Sequence, residues 1–312
     1  MTEPQRDTLA ARADDDDRAE AARVAAAAQL ACLLEVTAPK PGNVSPGRHF
    51  ADTRYEDFLA SAAAIGAPLA GAGNRPIGAT IRLAIESTSR WTRANTNLGI
   101  VLLFAPIARA ALTTAASSRA SDERWRDLRS RVALALERTG VEDARDAYAA
   151  IRQASPGGLG RADEQDVAEE PTGTLLEVMR LAAHRDGIAR EYATAFERTF
   201  ERGVPALVRA RADGLSWDDG IVETYVTLLA DASDTHVARR GGAAMAADVS
   251  RRAAEVLARG GVRSDAGRRA LDEMDAALRD GGNTANPGTT ADLTAAAIFV
   301  FLLGGGWEER RP

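Results

Sequence analysis

Five short segments rich in glycine, proline, asparagine, threonine and aspartate interrupt a sequence whose pattern is otherwise helical. They are A-P-K-P-G-N-V-S-P-G (38–47), A-N-T-N-L-G (94–99), S-P-G-G-L-G-R-A-D-E-Q-D (155–166), S-D-T-H-V-A-R-R-G-G (233–242) and G-G-N-T-A-N-P-G-T-T-A-D-L (281–293). One or two such segments would be ordinary connections between helices. Five of them predict a polar site that is assembled from helix ends.

The segment at 94–99 has the residue types of an anion site. Asn95, Thr96 and Asn97 directly precede an apolar run that starts near Leu98. The free N–H groups of the helix that begins there, and its positive dipole end, would face a bound anion. An ordinary N-cap explains the same three residues.

The segment at 38–47 contains Lys40, the only lysine among 39 lysines and arginines. Lys40 lies between Pro39 and Pro41, and Gly42 follows. On a loop stiffened by prolines, a compact ammonium can approach a phosphate more closely than a broad guanidinium can. We therefore expect Lys40 and Gly42 to bind phosphate. Coding bias in a GC-rich genome explains the other basic positions, and one surviving lysine could be chance.

The segment at 233–242 combines acidic and basic side chains. Asp231 and Asp234 are about one helical turn apart, and Arg239, Arg240 and Gly241 follow within two turns. Such a group could hold Mg²⁺ through the two carboxylates and a phosphate chain through the arginines. A structural ion pair is the alternative.

The last segment places Asp292 in the first turn of the final apolar helix, behind Thr289 or Thr290 as the cap. An acidic residue at this position either stabilises the helix dipole or binds a magnesium ion. The spacing does not distinguish the two.

The elements that must position these segments are helices. Apolar residues recur at helical spacing, no alternating series of strands occurs, and no repeat is visible, so we expect an all-α protein folded as one compact multi-helix bundle. Residues 1–17 are polar and acidic and are predicted to be a disordered tail before a domain at 18–312. The predicted helices cover 18–36, 55–71, 76–90, 97–115, 121–138, 141–154, 172–184, 186–201, 203–212, 217–232, 236–259, 264–280 and 289–303.

Composition and missing motifs exclude several classes of function. A net charge of −6, without a basic stripe, argues against nucleic acid as a partner. No signal peptide pattern and no membrane-length apolar stretch occur, so we expect a cytoplasmic location and no membrane association. The one cysteine, Cys32, lies in an apolar run. The motifs of P-loop, Rossmann and α/β-hydrolase proteins are absent, and the three histidines lack a zinc spacing.

Taken in order, E-V-T-A-P-K-P-G-N-V (35–44), R-P-I-G (75–78), N-T-N-L-G (95–99), D-T-H-V-A-R-R-G-G (234–242) and N-P-G-T-T-A-D-L (286–293) resemble the motif series of the triphosphoribosyl-dephospho-coenzyme A synthase family. The resemblance covers about 22–303. It implies an all-α protein that transfers the 5-triphosphoribosyl unit of ATP to the ribose 2′-hydroxyl of 3′-dephospho-coenzyme A and releases adenine.

This reaction assigns roles to the candidate residues. It needs a base for the hydroxyl and a carboxylate near the oxocarbenium-like carbon, for which we expect Asp234 first and Asp292 next. Magnesium and cations must hold the triphosphate. That task is expected of Asp231 and Asp234 through Mg²⁺, and of Lys40, Gly42, Asn95, Thr96, Asn97, Arg239, Arg240 and Gly241.

The chain departs from the family pattern at several positions. Family members typically have N-T-H-K-G where this chain has N-T-N-L-G, so Asn97 and Leu98 stand in place of a histidine and a lysine. They have D-T-N-V where this chain has D-T-H-V, with His236 in place of an asparagine. Arg90, Arg93 or His236 could compensate. Three readings stay open: the reaction above, a related ribosyl transfer in another coenzyme pathway such as archaeal-type pterin coenzyme assembly, and a non-catalytic nucleotide- or coenzyme A-binding protein. A homodimer also stays open.

Overall fold

The computed structural model describes residues 3–113, 121–157, 159–279 and 282–307. Within these ranges the regular elements are helical, and the single β feature is an isolated bridge between Ser45 and Arg48. The helices are α1 (Glu3–Thr37), α2 (Tyr55–Ala64), α3 (Gly66–Ala70), α4 (Ile77–Ser89), α5 (Leu98–Leu112), α6 (Ser121–Glu137), α7 (Val141–Ala154), α8 (Leu175–Ala182), α9 (Gly187–Ala193), α10 (Val204–Ala212), α11 (Trp217–Asp231), α12 (Thr235–Gly241), α13 (Ala243–Ala258), α14 (Asp265–Leu278) and α15 (Gly288–Leu303). Short 3₁₀ turns lie at Ala72–Asn74 and Gly261–Arg263, and a π-helical turn spans Thr199–Gly203. The all-α prediction is confirmed.

Helix α15 is the centre of the bundle. Residues 293–300 of this helix are fully buried, which agrees with a sequence that is apolar on every face. It packs against α1, α5, α10 and α11, and the ring centroids of Phe104 and Phe299 lie 4.5 Å apart between α5 and α15. Because α15 and α5 are both buried, their N-terminal ends have fixed positions relative to each other.

The helix boundaries differ from the prediction at four places. Helix α1 begins at Glu3 and not near Arg18, so residues 3–17 are helical where a disordered tail was expected. The division into a tail and a domain stays a prediction, and residues 1–2 lie outside the described range.

The other three differences are breaks inside predicted helices. The helix predicted over 55–71 is interrupted at Ile65, and the one over 236–259 is interrupted at Gly242, whose φ of +87° ends α12. The helix predicted over 186–201 ends at Ala193, because Ala195 and Phe196 have left-handed φ values of 50° and 59°. Each break turns the chain so that the following helix can pack.

The R-P-I-G motif has a packing role. The backbone N–H of Gly78 donates to Asp143 Oδ1 at 2.8 Å, and a Cβ on Gly78 would lie 2.3 Å from the Asp143 carbonyl oxygen. Only a glycine lets α4 and α7 approach this closely. Among the described residues, no helix has both the length and the apolar character needed to cross a bilayer.

Candidate active site

All five polar segments reach one cleft of about 810 Å³. The C-terminal end of α1, the N-terminal ends of α5, α9 and α15, helix α12 and the loop after α7 surround it. This volume lies within the range of small-molecule sites in proteins. The prediction of a polar site formed by helix ends and loops agrees with this geometry.

Glu35 contributes a carboxylate to the wall of the cleft from the last turn of α1. Its side chain is 5% exposed, and its Oε1 lies 3.0 Å from the ammonium of Lys40. A buried carboxylate is stable as an ion only when it is paired. The ion pair therefore keeps a negative charge at the wall of the cleft.

Asp292 lies on α15 and faces the same cleft. Burial raises the pKa of the Asp292 carboxyl well above its usual range, and the charges of Glu35 and Asp234 raise it further, against a smaller lowering by Arg239. A Cβ on Gly99 would lie 2.0 Å from Asp292 Oδ2, so the glycine leaves the space that the carboxyl occupies. The site thus contains a carboxyl whose protonated form is favoured, beside an ion-paired carboxylate.

The predicted anion site at the start of α5 is part of the cleft. Asn95, Thr96 and Asn97 line it together with Leu98 and Gly99. Asn95 Oδ1 accepts the N–H of Leu98 at 3.3 Å, and Asn97 Nδ2 donates to a threonine hydroxyl of α4 at 3.0 Å. The three polar side chains therefore hold the loop in place, and the open end of α5 is directed to the cleft.

Helix α12 contributes Arg239 and His236 to the opposite wall. One guanidinium nitrogen of Arg239 is bonded to Asp186, which caps α9, while the buried Nε of Arg239 has no hydrogen-bond partner among the described residues. Oδ1 of Asn286, another cleft residue, is buried without a partner in the same part of the chain. Buried polar atoms without partners are uncommon in folded proteins, and in a cleft they are ready to bind a ligand.

The His236 ring is neutral in this environment. Burial lowers the pKa of His236, and its Nδ1 lies 2.9 Å from the carbonyl oxygen of Asn286. Because a carbonyl oxygen can only accept, Nδ1 carries the proton and Nε2 has a free lone pair. Of the three compensating residues considered from the sequence, His236 lines the cleft, Arg93 lines a side pocket of about 190 Å³ next to Asn95, and Arg90 lines neither.

The loop after α7 forms an outer wall. Asp166 organises it by accepting the N–H groups of Ala162 at 2.6 Å and Ala168 at 2.8 Å, and these bonds lower the pKa of Asp166. Two large apolar side chains, Leu159 of this loop and Leu181 of α8, line the cleft with 38% and 47% of their surface exposed. The outer wall of the cleft thus carries exposed apolar surface beside the polar groups of the loop.

Lys40 and Gly42 do not reach the cleft, contrary to the prediction. The Lys40 side chain is 0% exposed and is directed at Glu35. The N–H of Gly42 donates to Asp275 Oδ1 at 2.8 Å, and a Cβ there would contact Leu278 at 3.0 Å. The short loop between α1 and α2 is packed on α14, which explains why both residues are removed from solvent.

Asp234 is also placed differently from the expectation. It is 2% exposed, and it accepts four hydrogen bonds: two from the backbone N–H groups of His236 and Val237 and two from the N–H and hydroxyl of Thr290. These donors occupy both carboxylate oxygens and join α12 to α15. Asp234 therefore has no free oxygen with which to accept a substrate proton or to bind a metal.

The remaining predicted residues lie outside the cleft. Asp231 faces Arg198 and Arg202, at 3.6 Å from each, on the outer side of α11. Arg240 donates to the carbonyl of Gly282 at 2.7 Å, and Gly241 packs against Met245. On a helix, Arg239 and Arg240 point in directions about 100° apart, so only one of the two can face the site.

The predicted magnesium ligands do not fit a resident metal site. Both oxygens of Asp234 are occupied, and Asp231 is paired with arginines on another surface. Across the part of the chain that the structure describes, no group of three histidine, cysteine or acidic side chains is placed to hold a metal ion. A divalent cation would enter this cleft with a ligand that carries it.

Three residues of the cleft were not assigned from the sequence. Glu35 was quoted in the first motif without a role, and its position five residues before the only lysine was the available indication. Asp186 precedes a glycine at a helix start, a common capping pattern. The exposed side chain of Arg185 lines the cleft and makes no hydrogen bond or ion pair with the described residues, and nothing in its local sequence distinguishes it.

The fold and the cleft define an all-helical protein with a polar pocket that contains a carboxyl and a carboxylate. The family model of ATP:dephospho-CoA triphosphoribosyl transferase, CitG, matches residues 21–311. The chain belongs to this family, so the resemblance found in the motifs is confirmed.

Curated relatives and a solved structure give the same assignment. A Pseudomonas putida protein named "Probable 2-(5''-triphosphoribosyl)-3'-dephosphocoenzyme-A synthase" is 40% identical over 119 residues, and a Klebsiella pneumoniae 2-(5''-triphosphoribosyl)-3'-dephosphocoenzyme-A synthase is 34% identical over 119 residues. Each alignment covers 38% of this chain and 42% of the relative, less than half of its length. The crystal structure of a candidate triphosphoribosyl-dephospho-coA synthase from Archaeoglobus fulgidus superposes with a TM-score of 0.60 at 27% identity, over 80% of this chain and 100% of that one.

Proposed function

We propose that this chain transfers the 5-triphosphoribosyl group of ATP to the 2′-hydroxyl of 3′-dephospho-CoA and releases adenine. The observation that carries the proposal is the pair of acidic groups in one cleft, Asp292 as a carboxylic acid and Glu35 as a carboxylate. Two acidic groups in different protonation states are what a displacement at a glycosidic carbon requires. The names of the family and of its relatives supply the substrates.

The bonds of the reaction can be assigned to these two groups. The C1′–N9 bond of ATP breaks, its electron pair goes to adenine, and the proton of Asp292 passes to the departing base. The 2′-hydroxyl oxygen of the acceptor forms the new bond to C1′, and its proton passes to Glu35. General acid–base catalysis of this kind contributes about 10²–10⁴-fold to a rate. Asp292 replaces Asp234 as the acidic residue that we expect to act.

The triphosphate is proposed to bind at the inner end of the cleft. The N-terminal end of α5 offers backbone N–H groups there, and Arg239 and Arg185 offer positive charge. These two arginines supply charge that the family lysine at the position of Leu98 would otherwise give. Magnesium is proposed only as the counterion that ATP carries, because Mg²⁺ is commonly bound mainly by substrate phosphates and water.

The acceptor is proposed to place its flexible arm along the apolar outer wall. Dephospho-CoA carries such an arm, whereas the ribosyl acceptors of smaller coenzymes do not. Leu159 and Leu181 expose apolar surface to the cleft and would be covered by this arm. Burying a leucine of this size contributes about 1–3 kcal/mol.

The experiment that tests the reaction uses purified protein, ATP, Mg²⁺ and dephospho-CoA, with adenine measured by chromatography. The proposal expects adenine to appear only with the acceptor present, together with a product heavier than dephospho-CoA by the triphosphoribosyl group. Adenine release without an acceptor would identify a hydrolase. ATP binding without any adenine would identify a nucleotide-binding protein and overturn the proposal.

A second experiment tests the acceptor. Leu181→Ser and Leu159→Ser should each raise the KM for dephospho-CoA by about 5-fold, the equivalent of about 1 kcal/mol of lost apolar contact, and leave the KM for ATP unchanged. Leu134→Ser is the control, because Leu134 is 51% exposed and does not line the cleft. Unchanged KM values in both cleft variants would exclude this wall as the site of the acceptor arm.

A further inference from the structure

The ammonium of Lys40 is enclosed by three oxygen atoms. It lies 3.0 Å from Glu35 Oε1 and 3.2 Å from the carbonyl oxygen of Ala38, and it also donates to the carbonyl oxygen of Glu35. A lysine ammonium has three protons, so each one has an acceptor. The side chain is 0% exposed, and no proton is left for a ligand.

Two of these acceptors belong to the end of α1. The carbonyl of Glu35 lies in the last turn of α1, where a helix leaves carbonyls without intrahelical partners, and Ala38 directly follows the helix. A cation at this end is favourable to the helix dipole. The third acceptor, the Glu35 carboxylate, is one of the groups that line the cleft. Lys40 thus contacts both the C-terminal end of α1 and a carboxylate that lines the cleft.

We propose that Lys40 is a positioning residue, whose buried ammonium keeps the Glu35 side chain charged and fixed at the wall of the cleft. This inference rests on the proposed function, in which Glu35 receives a proton. Without Lys40, the buried Glu35 would be an unpaired charge and would take up a proton of its own. It could then neither accept the proton of the acceptor hydroxyl nor influence Asp292 through its charge.

The influence on Asp292 is what can be measured. The charged groups that act on Asp292 are Glu35 from α1, Asp234 before α12, Arg239 on α12 and Asp186 before α9. Glu35 is the largest of these charge effects, and it raises the pKa of Asp292. Loss of the Glu35 charge should therefore lower the pH at which Asp292 titrates.

The geometry also explains why the residue is a lysine. A guanidinium is broader than an ammonium, and its five donors exceed the three acceptors that surround Lys40. Lys40→Arg keeps the charge but overfills the space, so we expect a lower melting temperature and weaker activity. The enclosed space around the ammonium, and not direct phosphate binding, is therefore our explanation for a lysine at position 40.

The test measures the titration of Asp292 without using turnover. The melting temperature is recorded from pH 4 to 9 for each protein and for the same protein carrying Asp292→Asn. The difference between the two melting temperatures changes with pH, and the midpoint of that change reports the titration of Asp292. The measurement is made in the wild type, in Lys40→Met and in the double variant Glu35→Gln/Lys40→Met. The double variant replaces both charged groups by neutral ones of similar size. Because it leaves no unpaired buried charge, we expect it to fold even if Lys40→Met does not.

The control is Glu191→Gln. Glu191 is another fully buried glutamate, it accepts the hydroxyl of Thr199 at 2.6 Å, and it does not line the cleft. Its replacement removes a buried carboxyl of the same kind without changing the surroundings of Asp292. The Asp292 midpoint should stay at its wild-type pH in this variant.

The proposal expects the midpoint to move to lower pH in Lys40→Met and in the double variant, and kcat to fall by about 10²-fold or more in both. An unmoved midpoint in Lys40→Met beside a lowered one in the double variant would show that Glu35 stays charged without Lys40, and an unmoved midpoint in both would show that Lys40 only caps α1. Either result, even with a lower melting temperature, would overturn the proposal. Failure of the proposed function is recognised separately, because the wild type would then release no adenine whatever the melting data show.

Discussion

Asp292→Asn is the substitution that tests the site most directly. Asparagine keeps the shape of the side chain in the space that Gly99 leaves, but it cannot supply a carboxyl proton. We expect kcat to fall by about 10²–10⁴-fold, the usual contribution of a general acid. The KM for ATP should change little, because the phosphates are held by other groups.

The same substitution should stabilise the protein, and the sign follows from linkage. The pKa of Asp292 is raised in the folded protein above the ordinary value of an aspartate, about 3.9. Its contribution to stability is therefore complete below that value and is lost as the pH rises through the folded pKa. Each unit of raised pKa costs about 1.4 kcal/mol at high pH, which is about 2 °C in the melting temperature of a chain of this length.

The assay is a series of thermal melts of the wild type and Asp292→Asn from pH 4 to 9, with kcat measured in parallel. The variant should melt at the same temperature as the wild type near pH 4 and at a higher temperature as the pH rises. Asp166→Asn is the control of opposite sign, because two backbone N–H groups lower the pKa of Asp166 and its loss should destabilise the protein at neutral pH. A melting difference for Asp292→Asn that does not change with pH would refute the reasoning about its environment.

Three further substitutions have distinct expected outcomes. Asp234→Asn should lower the free energy of unfolding by about 2 kcal/mol in chemical denaturation, because it leaves the donors of Thr290 without an acceptor; a loss of kcat without loss of stability would return Asp234 to the role of base. Gly99→Ala should lower both kcat and the melting temperature, because its Cβ would lie 2.0 Å from Asp292, and wild-type values of both would contradict the packing. Arg239→Gln should raise the KM for ATP by about 10- to 100-fold in steady-state assays, through loss of a charged hydrogen bond; an unchanged KM would exclude it from phosphate binding.

Most helices could be predicted because their apolar residues recur at helical spacing. Helices α7 and α11 begin and end within a residue of the predicted bounds, where a capping pattern marks the start. The breaks at Ile65, Gly242 and Ala193 were missed. Each depends on how the next helix packs, and packing can override a local preference for continued helix.

The site could be predicted only as a set of segments. All five polar segments reach the cleft, and Asn95–Asn97, Arg239 and Asp292 are where the motifs placed them. We ranked Asp234 before Asp292 from the sequence, where two aspartates near helix starts look alike, and our proposal reverses that order. Four hydrogen bonds to Asp234 and none to Asp292 within the described residues separate them in the folded protein.

The sequence alone determined the helical class, the family and the segments that carry polar groups, because periodicity and short motifs are local properties of a chain. Only the tertiary structure decided which polar groups face the cleft and which are already hydrogen-bonded or ion-paired within the protein. Lys40 shows the physical reason. Its motif and its charge indicated that it binds a phosphate, but three acceptors and complete burial direct the ammonium to Glu35. Hydrogen-bond partners and burial arise from contacts between distant segments, and these decide whether a charged residue binds a ligand or holds a neighbour in place.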